Sequence, residues 1–387
     1  MIQTVLLGDV ADIQTGPFGS QLHQKDYVND GTPIITVEHL GGDRITTQNL
    51  PRVSNTDKER LSKYWMQEGD TIFSRVGSVD RASYVHKEED GWLFSGRCLR
   101  VRPDREKVNP RYLSFVLRSP QFTNYIKSIA VGATMPSINT KLLATAPVVL
   151  ADQKEQEEIA MTLDAIEQKI ELNRKMNETL EQMGQALFRH YFITNPEAEK
   201  WEVGNISRLA ENVREGAKPP FSDALRYVAL EHFTSRTLAL YDSTSADNAT
   251  SNKTRFKKHD ILFGKLRPYF HKVVVAPFDG ICSTDILAIR PKKEEYFGYT
   301  SFFMSQKLLI EYTTQASEGT RMPRTSWNNI CNYSVALPPD DLLRKFNEET
   351  EPLIENMIDN ARQTQTLSTL RDALLPRLIN GALLKND

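Results

Sequence analysis

The chain has 387 residues, 40% of them hydrophobic and 25% charged, with a net charge of −2. No apolar run reaches the ~18 residues of a membrane span, and Asp9 and Asp12 interrupt the start, MIQTVLLGDVADI, which also lacks the basic residues of a secretion signal. Three widely spaced cysteines without a CxxC (Cys98, Cys282 and Cys331) are read as reduced and structural, which excludes a disulfide scaffold, argues against a zinc site and places the protein in the cytoplasm.

Residues 1–150 read as an α+β domain. Short β-rich runs at 33–38, 71–76, 82–86 and 97–102 alternate with Gly, Asp and Pro punctuation. One amphipathic helix is predicted over about 110–129, with Pro110 in its first turn and Tyr112, Phe115, Val116, Phe122, Ile126 and Ile129 at helical spacing.

Residues 151–200 read as a helical spacer. Asp152 and Glu155 form a capping pair at its start. Alternating steps of four and three trace a seam through Ile159, Leu163, Ile166, Ile170, Asn173, Asn177, Leu180, Gly184, Leu187 and Tyr191.

Residues 201–339 read as a second α+β domain, with strand, turn and strand over 255–276 and a helix over 296–316. Residues 340–387 form a second helical spacer whose seam runs Phe346, Thr350, Leu353, Met357, Asn360, Thr364, Leu367, Arg371, Leu374 and Leu378. Pro352 is expected to kink this helix and Pro376 to end or bend it. The four segments carry net charges of +2, −5, +4 and −3 in that order, so mildly basic domains alternate with acidic helices.

The second half repeats the first. VEHL at 37–40 returns as LEHF at 230–233, GDTIFSRVG at 69–77 as HDILFGKLR at 259–267, CLRVRP at 98–103 as ILAIRP at 286–291, and GATMP at 132–136 as GTRMP at 319–323. A duplicated domain-plus-helix implies two similar sites held apart by a spacer, which suits a bipartite ligand. Antiparallel packing of the two helices with flush ends would bring Asn173 opposite Asn360, a buried polar pair that weakens a coiled coil but sets its register. Each helix of ~40 residues would span ~60 Å, or roughly 17 base pairs of B-DNA. Two domains related by a pseudo-two-fold axis could then read different half-sites in inverted orientation.

The order GPFGSQL at 16–22, GDTIFSRVG at 69–77, GATMPSINTKLLATAPVVL at 132–150 and QKEQEEIAMTLDAIEQKI at 153–170, with HDILFGKLRPYFHKVVVAPFDGICSTDILAIRP at 259–291 in the second half, resembles the specificity subunit of a type I restriction–modification enzyme. The resemblance spans essentially the whole chain. It departs at VREGAKPPFS, which stands where the first repeat has IQTGPFGSQL, and at Pro352. It implies two target recognition domains, each reading one half of a split double-stranded DNA sequence. It also implies an antiparallel coiled coil that sets the gap and docks two DNA-methyltransferase subunits and, through them, the motor–nuclease subunits. By the same resemblance the chain is not itself catalytic: S-adenosylmethionine, ATP and Mg²⁺ belong to the partners.

The candidate DNA contacts lie in loops rich in Arg, Lys, Ser, Thr and aromatics. In the first domain they are Gln14 and Ser20, then Arg75, Ser78 and Arg81, then Thr134 and Ser137. In the second they are Arg214 and Lys218, then Lys265, Arg267, Tyr269, His271 and Lys272, then Thr320, Arg321 and Arg324. Arg suits bidentate pairing with guanine, and Lys suits phosphate. No catalytic or metal-ligating residues are assigned. There is no GxxxxGK(S/T) loop, no NPPY-type tetrapeptide and no HExxH, and the repeated Glu38-His39 and Glu231-His232 pairs have no recurring nucleophile beside them. Two other readings remain: the specificity subunit of a methylation-only or type II-like system, and a coiled-coil scaffold whose globular ends bind protein.

Overall fold

In the computed structural model, residues 2–17, 21–247, 249–319 and 321–379 are described. Two units are formed, one from residues 1–168 with 368–387, the other from residues 169–367. Each is an α+β body carrying one antiparallel pair of helix segments.

The main sheet of the first unit contains β1 (Ala11–Thr15), β2 (Thr71–Ser74), β3 (Ala82–Tyr84) and β4 (Cys98–Pro103), in the order β1-β4-β2-β3 and antiparallel throughout. The second unit repeats it with β5 (Ala210–Val213), β6 (Ile261–Gly264), β7 (Val273–Val275) and β8 (Ile286–Pro291), ordered β5-β8-β6-β7. The register is retained: Thr71 opposes Val101, and Ile261 opposes Ile289. All four residues of β2 and of β6 are buried, which is why TIFS and ILFG read as continuous runs without alternation.

An aspartate precedes each of these strands. Asp70 accepts two hydrogen bonds from Arg102 at 2.8 Å, and Asp260 accepts two from Arg290 at 2.8 Å. The recurring GD and HD of the sequence therefore supply a bidentate brace for the sheet.

The helix expected over 110–129 is two helices, α1 (Pro110–Arg118) and α2 (Pro120–Ile129). Pro120 disfavours a helical Ser119, whose hydroxyl instead caps α2 by accepting from the Phe122 N–H. The long helix α3 (Gln153–Phe188) starts with the reciprocal Asp152–Glu155 bonds read from the sequence. In the second unit the helix expected over 296–316 is again two, α4 (Phe297–Met304) and α5 (Lys307–Gln315). No proline marks this break. Ser305 is engaged from both sides, its hydroxyl by Gln185 at 2.8 Å and its carbonyl by His271 Nε2 at 2.9 Å.

The last helix, α6 (Asp340–Ile379), runs unbroken through Pro352 and Pro376. Pro352 lies on the exposed face, where water can satisfy the carbonyl freed by the missing N–H. In the second unit, Asn173 donates to Gln363 Oε1 at 2.8 Å and to the Asn360 carbonyl at 3.4 Å. The Asn360 amide donates to Asn177 Oδ1 at 2.9 Å. The buried stripe departs by one residue from the 3.5-residue seam at two points, taking Glu167 in place of Ile166 and Phe188 in place of Leu187.

The two units fasten their sheets to the long helices by different chemistry. In the first, a buried ionic network joins Asp43 to Arg111 (2.6 and 3.0 Å), Arg118 (2.7 Å) and His86 (3.2 Å). It continues from Arg111 to Asp164 at 2.6 Å, and Glu167 takes Arg118 at 3.6 Å and Arg371 at 3.0 Å. Arg111 and Arg118 also lie 4.5 and 5.0 Å over the ring of Phe115. In the second unit Phe302 stands where Phe115 stands in the repeat, but its surroundings are aromatic. Phe188, Phe192, Tyr299, Phe302 and Phe346 share one core, with Phe192 4.8 Å from both Tyr299 and Phe346. Such pairs add about 0.5–1.5 kcal/mol each beyond burial.

Burial pushes the Cys98 and Cys282 thiols up to about 12, so both stay protonated and inert. Among the described residues no helix is long and apolar enough to cross a membrane.

Candidate nucleic-acid interface

Three separate chain segments meet at one end of the β2–β3 hairpin, and three equivalent segments meet at the β6–β7 hairpin. In the first unit the Arg75–Arg81 loop is stitched to the 131–138 segment. Gly77 N–H donates to the Pro136 carbonyl at 2.8 Å, and Ile138 N–H donates to the Arg75 carbonyl at 2.9 Å. In the second unit Arg267 N–H donates to the Pro323 carbonyl at 2.8 Å, and Thr325 N–H donates to the Lys265 carbonyl at 3.1 Å. Within the stitched segments Val131 and Ser137 exchange backbone bonds, as do Glu318 and Arg324. The third segment precedes β4 or β8: Arg75 N–H donates to the Arg97 carbonyl at 2.7 Å, and Lys265 N–H donates to the Asp285 carbonyl at 2.8 Å.

The cluster therefore brings together Arg75, Ser78, Arg81, Thr134 and Ser137 in one unit, and Lys265, Arg267, Tyr269, His271, Lys272, Arg321 and Arg324 in the other. Ser78, Arg81 and Thr134 are exposed. Ser137 turns its hydroxyl back to the Val131 carbonyl. Arg324 is exposed and reaches Asp285 at 3.0 Å. Two basic residues of the 265–272 run face inward: the Lys272 ammonium donates to the Leu230 carbonyl at 2.5 Å, and His271 is held on Ser305. Burial holds the His271 imidazole below its usual range and lowers the Lys272 ammonium.

Gln14 does not sit in a loop. It lies within β1 opposite Arg100, which it binds through its side-chain oxygen at 2.8 Å. Arg214 and Lys218 are exposed on the chain following β5, and among the described residues no hydrogen bond links them to the cluster. Ser20 and Thr320 lie outside the described residues.

The backbone repeats even where the residue type does not. Gly77 has φ 85°, and its counterpart Arg267 has φ 51°. A side chain in this left-handed region costs about 1–3 kcal/mol. Arg267 is also half-buried, and its Nε has no hydrogen-bond partner among the described residues.

The repeated Glu-His pairs have a local explanation. His39 Nδ1 accepts the Thr36 N–H at 3.0 Å, and His232 Nδ1 accepts the Ala229 N–H at 3.0 Å. Each imidazole is buried and each partnering glutamate exposed, so the motif closes a turn. Among the described residues no group of three or more His, Cys, Asp or Glu could hold a metal ion.

Three residues of the clusters were missed in the sequence. Arg97 and Asp285 precede the repeated CLRVRP and ILAIRP strings, so alignment of the repeats would have found them. Arg236 (φ 61°) joins the second cluster through its N–H to the His271 carbonyl at 2.9 Å, a contact with no local sequence signal.

A sequence profile described as the type I restriction modification DNA specificity domain matches residues 2–182 and 198–342. The type I restriction enzyme MjaIX specificity subunit of Methanocaldococcus jannaschii is 25% identical over 309 residues, covering 72% of this chain and 70% of its own. The HindI specificity subunit of Haemophilus influenzae is 22% identical over 423 residues, covering 86% and 90%. Among solved structures, the type I restriction–modification S subunit from M. genitalium superposes with a TM-score of 0.58 at 14% identity over 98% of this chain and 96% of that one, a likeness of fold.

Proposed function

The chain belongs to the family of type I restriction–modification DNA specificity subunits, and from that membership we propose that its two units each read one half of a bipartite duplex DNA target. The observation that carries the reading is the loop cluster built twice, with the same backbone links in each unit. It supplies two unlike sets of side chains on one scaffold, as recognition of two different half-sites requires. Under this reading Arg75, Arg81, Thr134, Lys265, Arg267, Tyr269, Arg321 and Arg324 face DNA, and His271 and Lys272 position the second cluster from behind. The chain contributes recognition and spacing. Two methyltransferase subunits and the motor–nuclease subunits dock on it and hold S-adenosylmethionine, ATP and Mg²⁺. The Asn173–Gln363 and Asn177–Asn360 bonds, made by the buried Asn173 and Asn177, support a register role for Asn173 and Asn360 in the helix pair.

The test is a genome-wide map of modified adenines with and without this gene. Loss of one bipartite motif with a fixed gap is expected. An unchanged map, with the methyltransferase subunits expressed, would favour the protein-binding scaffold. Within that motif, Arg267→Ala is expected to weaken recognition of one half-site by about 1–3 kcal/mol, the value of a base contact. Measured with duplexes mutated in one half at a time, an equal loss at both halves would point to failed assembly instead.

A further inference from the structure

The two clusters differ at the tip of the hairpin. In the first unit the tip is Ser78-Val79-Asp80: Val79 is buried, and Asp80 pairs with Lys127 at 2.8 Å. In the second unit the tip is a single 3₁₀ turn, Pro268–Phe270, and it points two aromatic rings outward. Tyr269 is 48% exposed and Phe270 45%, with ring centroids 4.8 Å apart. Among the described residues Phe270 is the one exposed phenylalanine. With Met322 beside them, 45% exposed on the stitched segment, the two rings leave an apolar patch in water that calls for an occupant.

The turn is held rigidly. Left-handed residues flank it, Arg267 (φ 51°) before and His271 (φ 52°) after. Backbone bonds close it from Phe270 to Arg267 at 2.9 Å and from His271 to Pro268 at 2.8 Å. The Arg267–Pro323, Arg236–His271 and Gly264–Lys272 backbone bonds and the His271–Ser305 bond tie it to the surrounding cluster. The segments joined to it carry Arg236, Lys265, Arg321 and Arg324, while Asp285 is already engaged by Arg324. Rigid aromatics rimmed by cations suit a polyanion with π faces, and a base step of duplex DNA has both.

We propose that Tyr269 and Phe270 form a stacking wedge that inserts at a base step of the second half-site and locally unstacks it, whereas the first half-site is read without one. This rests on the proposed function. It adds that specificity for the second half-site comes partly from the deformability of that step.

The experiment uses the full chain assembled with its methyltransferase subunits, and a duplex of the mapped target. 2-Aminopurine replaces each adenine in turn, and pyrrolocytosine each cytosine. Apart from the adenine that each methyltransferase subunit flips out for modification, binding is expected to raise fluorescence at one step of the second half-site and at none of the first. Phe270→Ala and Tyr269→Ala, on an exposed turn, are expected to abolish that signal and weaken binding about tenfold, with unchanged melting temperature and unchanged slope of log K against log salt. Lys265→Ala, a phosphate contact, should flatten that slope by about 1. Specific binding with no fluorescence change in the second half-site beyond the flipped adenine overturns the wedge and leaves the proposed function standing. No sequence-dependent binding by the wild-type assembly overturns both.

Discussion

Asp43→Ala is expected to cost the first unit about 3–5 kcal/mol, the penalty for stranding buried charges. The carboxylate is 9% exposed and meets Arg111, Arg118 and His86 at once. Removing it leaves two guanidinium groups, 11% and 13% exposed, with fewer counter-charges. Burial by itself favours the protonated carboxyl, but Arg118, His86 and Arg111 outweigh it and hold Asp43 far below the usual carboxylate range. The unfolded chain therefore takes up this proton more readily than the folded one. The contribution is complete above about pH 4 and is lost progressively as the pH falls from there. Hydrogen exchange read by peptide is the check: α1 should lose protection in Asp43→Ala, and α4 should not. Asp43→Asn separates shape from charge and should fall close to Ala. Wild-type protection of α1 in both variants would show that the network carries no stability.

Gly184→Leu is expected to cost the second unit about 3 kcal/mol, the upper part of the range for overpacking a core. A Cβ on Gly184 would fall on the ring of Phe302, which is fully buried among Phe188, Tyr299 and Phe346 and has nowhere to move. Met183→Leu, one residue away and 49% exposed, is the control and should stay within about 0.5 kcal/mol. In chemical unfolding followed by peptide-resolved exchange, Gly184→Leu should expose α4 and the α3 segment after residue 169, while α1 keeps its protection. Unchanged stability would mean that Phe302 can leave its site, contrary to the packing described.

These two variants probe joints that correspond in the repeat but are solved differently. Arg111 and Arg118 correspond to Gly298 and Ser305, Glu167 to Ile354, and Arg371 to Gly184. Gly298 lets α4 approach α6 so closely that a Cβ would meet Thr350, whereas Arg111 spans to Asp164 by an ion pair. The repeat was legible in the strings that form strands and braces, and illegible here, because a joint needs only complementary surfaces and several chemistries provide them.

Much of the loop cluster was readable for the same reason. Loops at 75–81 and 134–139, and at 265–272 and 321–324, stand out by composition and repetition, and all contribute to a cluster. Gln14 was misjudged as a loop residue because pairing with Arg100 across β1 and β4 leaves no local trace. The helix breaks at Ser119 and Ser305 divide in the same way. Pro120 announces the first, while the second depends on Gln185 and His271 arriving from elsewhere.

The sequence by itself determined the duplicated α+β plan, the two long helices, and the repeated strings that form β2 and β6. Each of these rests on local pattern, hydrophobic period or repetition, which a linear string contains in full. The tertiary structure alone decided which cations face outward, which joint is ionic and which aromatic, and that the turn at Pro268–Phe270 presents its rings. Those outcomes depend on partners far apart in the chain, such as Pro323 for Arg267 and Asp43 for Arg111, whose meeting is set by packing and not by spacing.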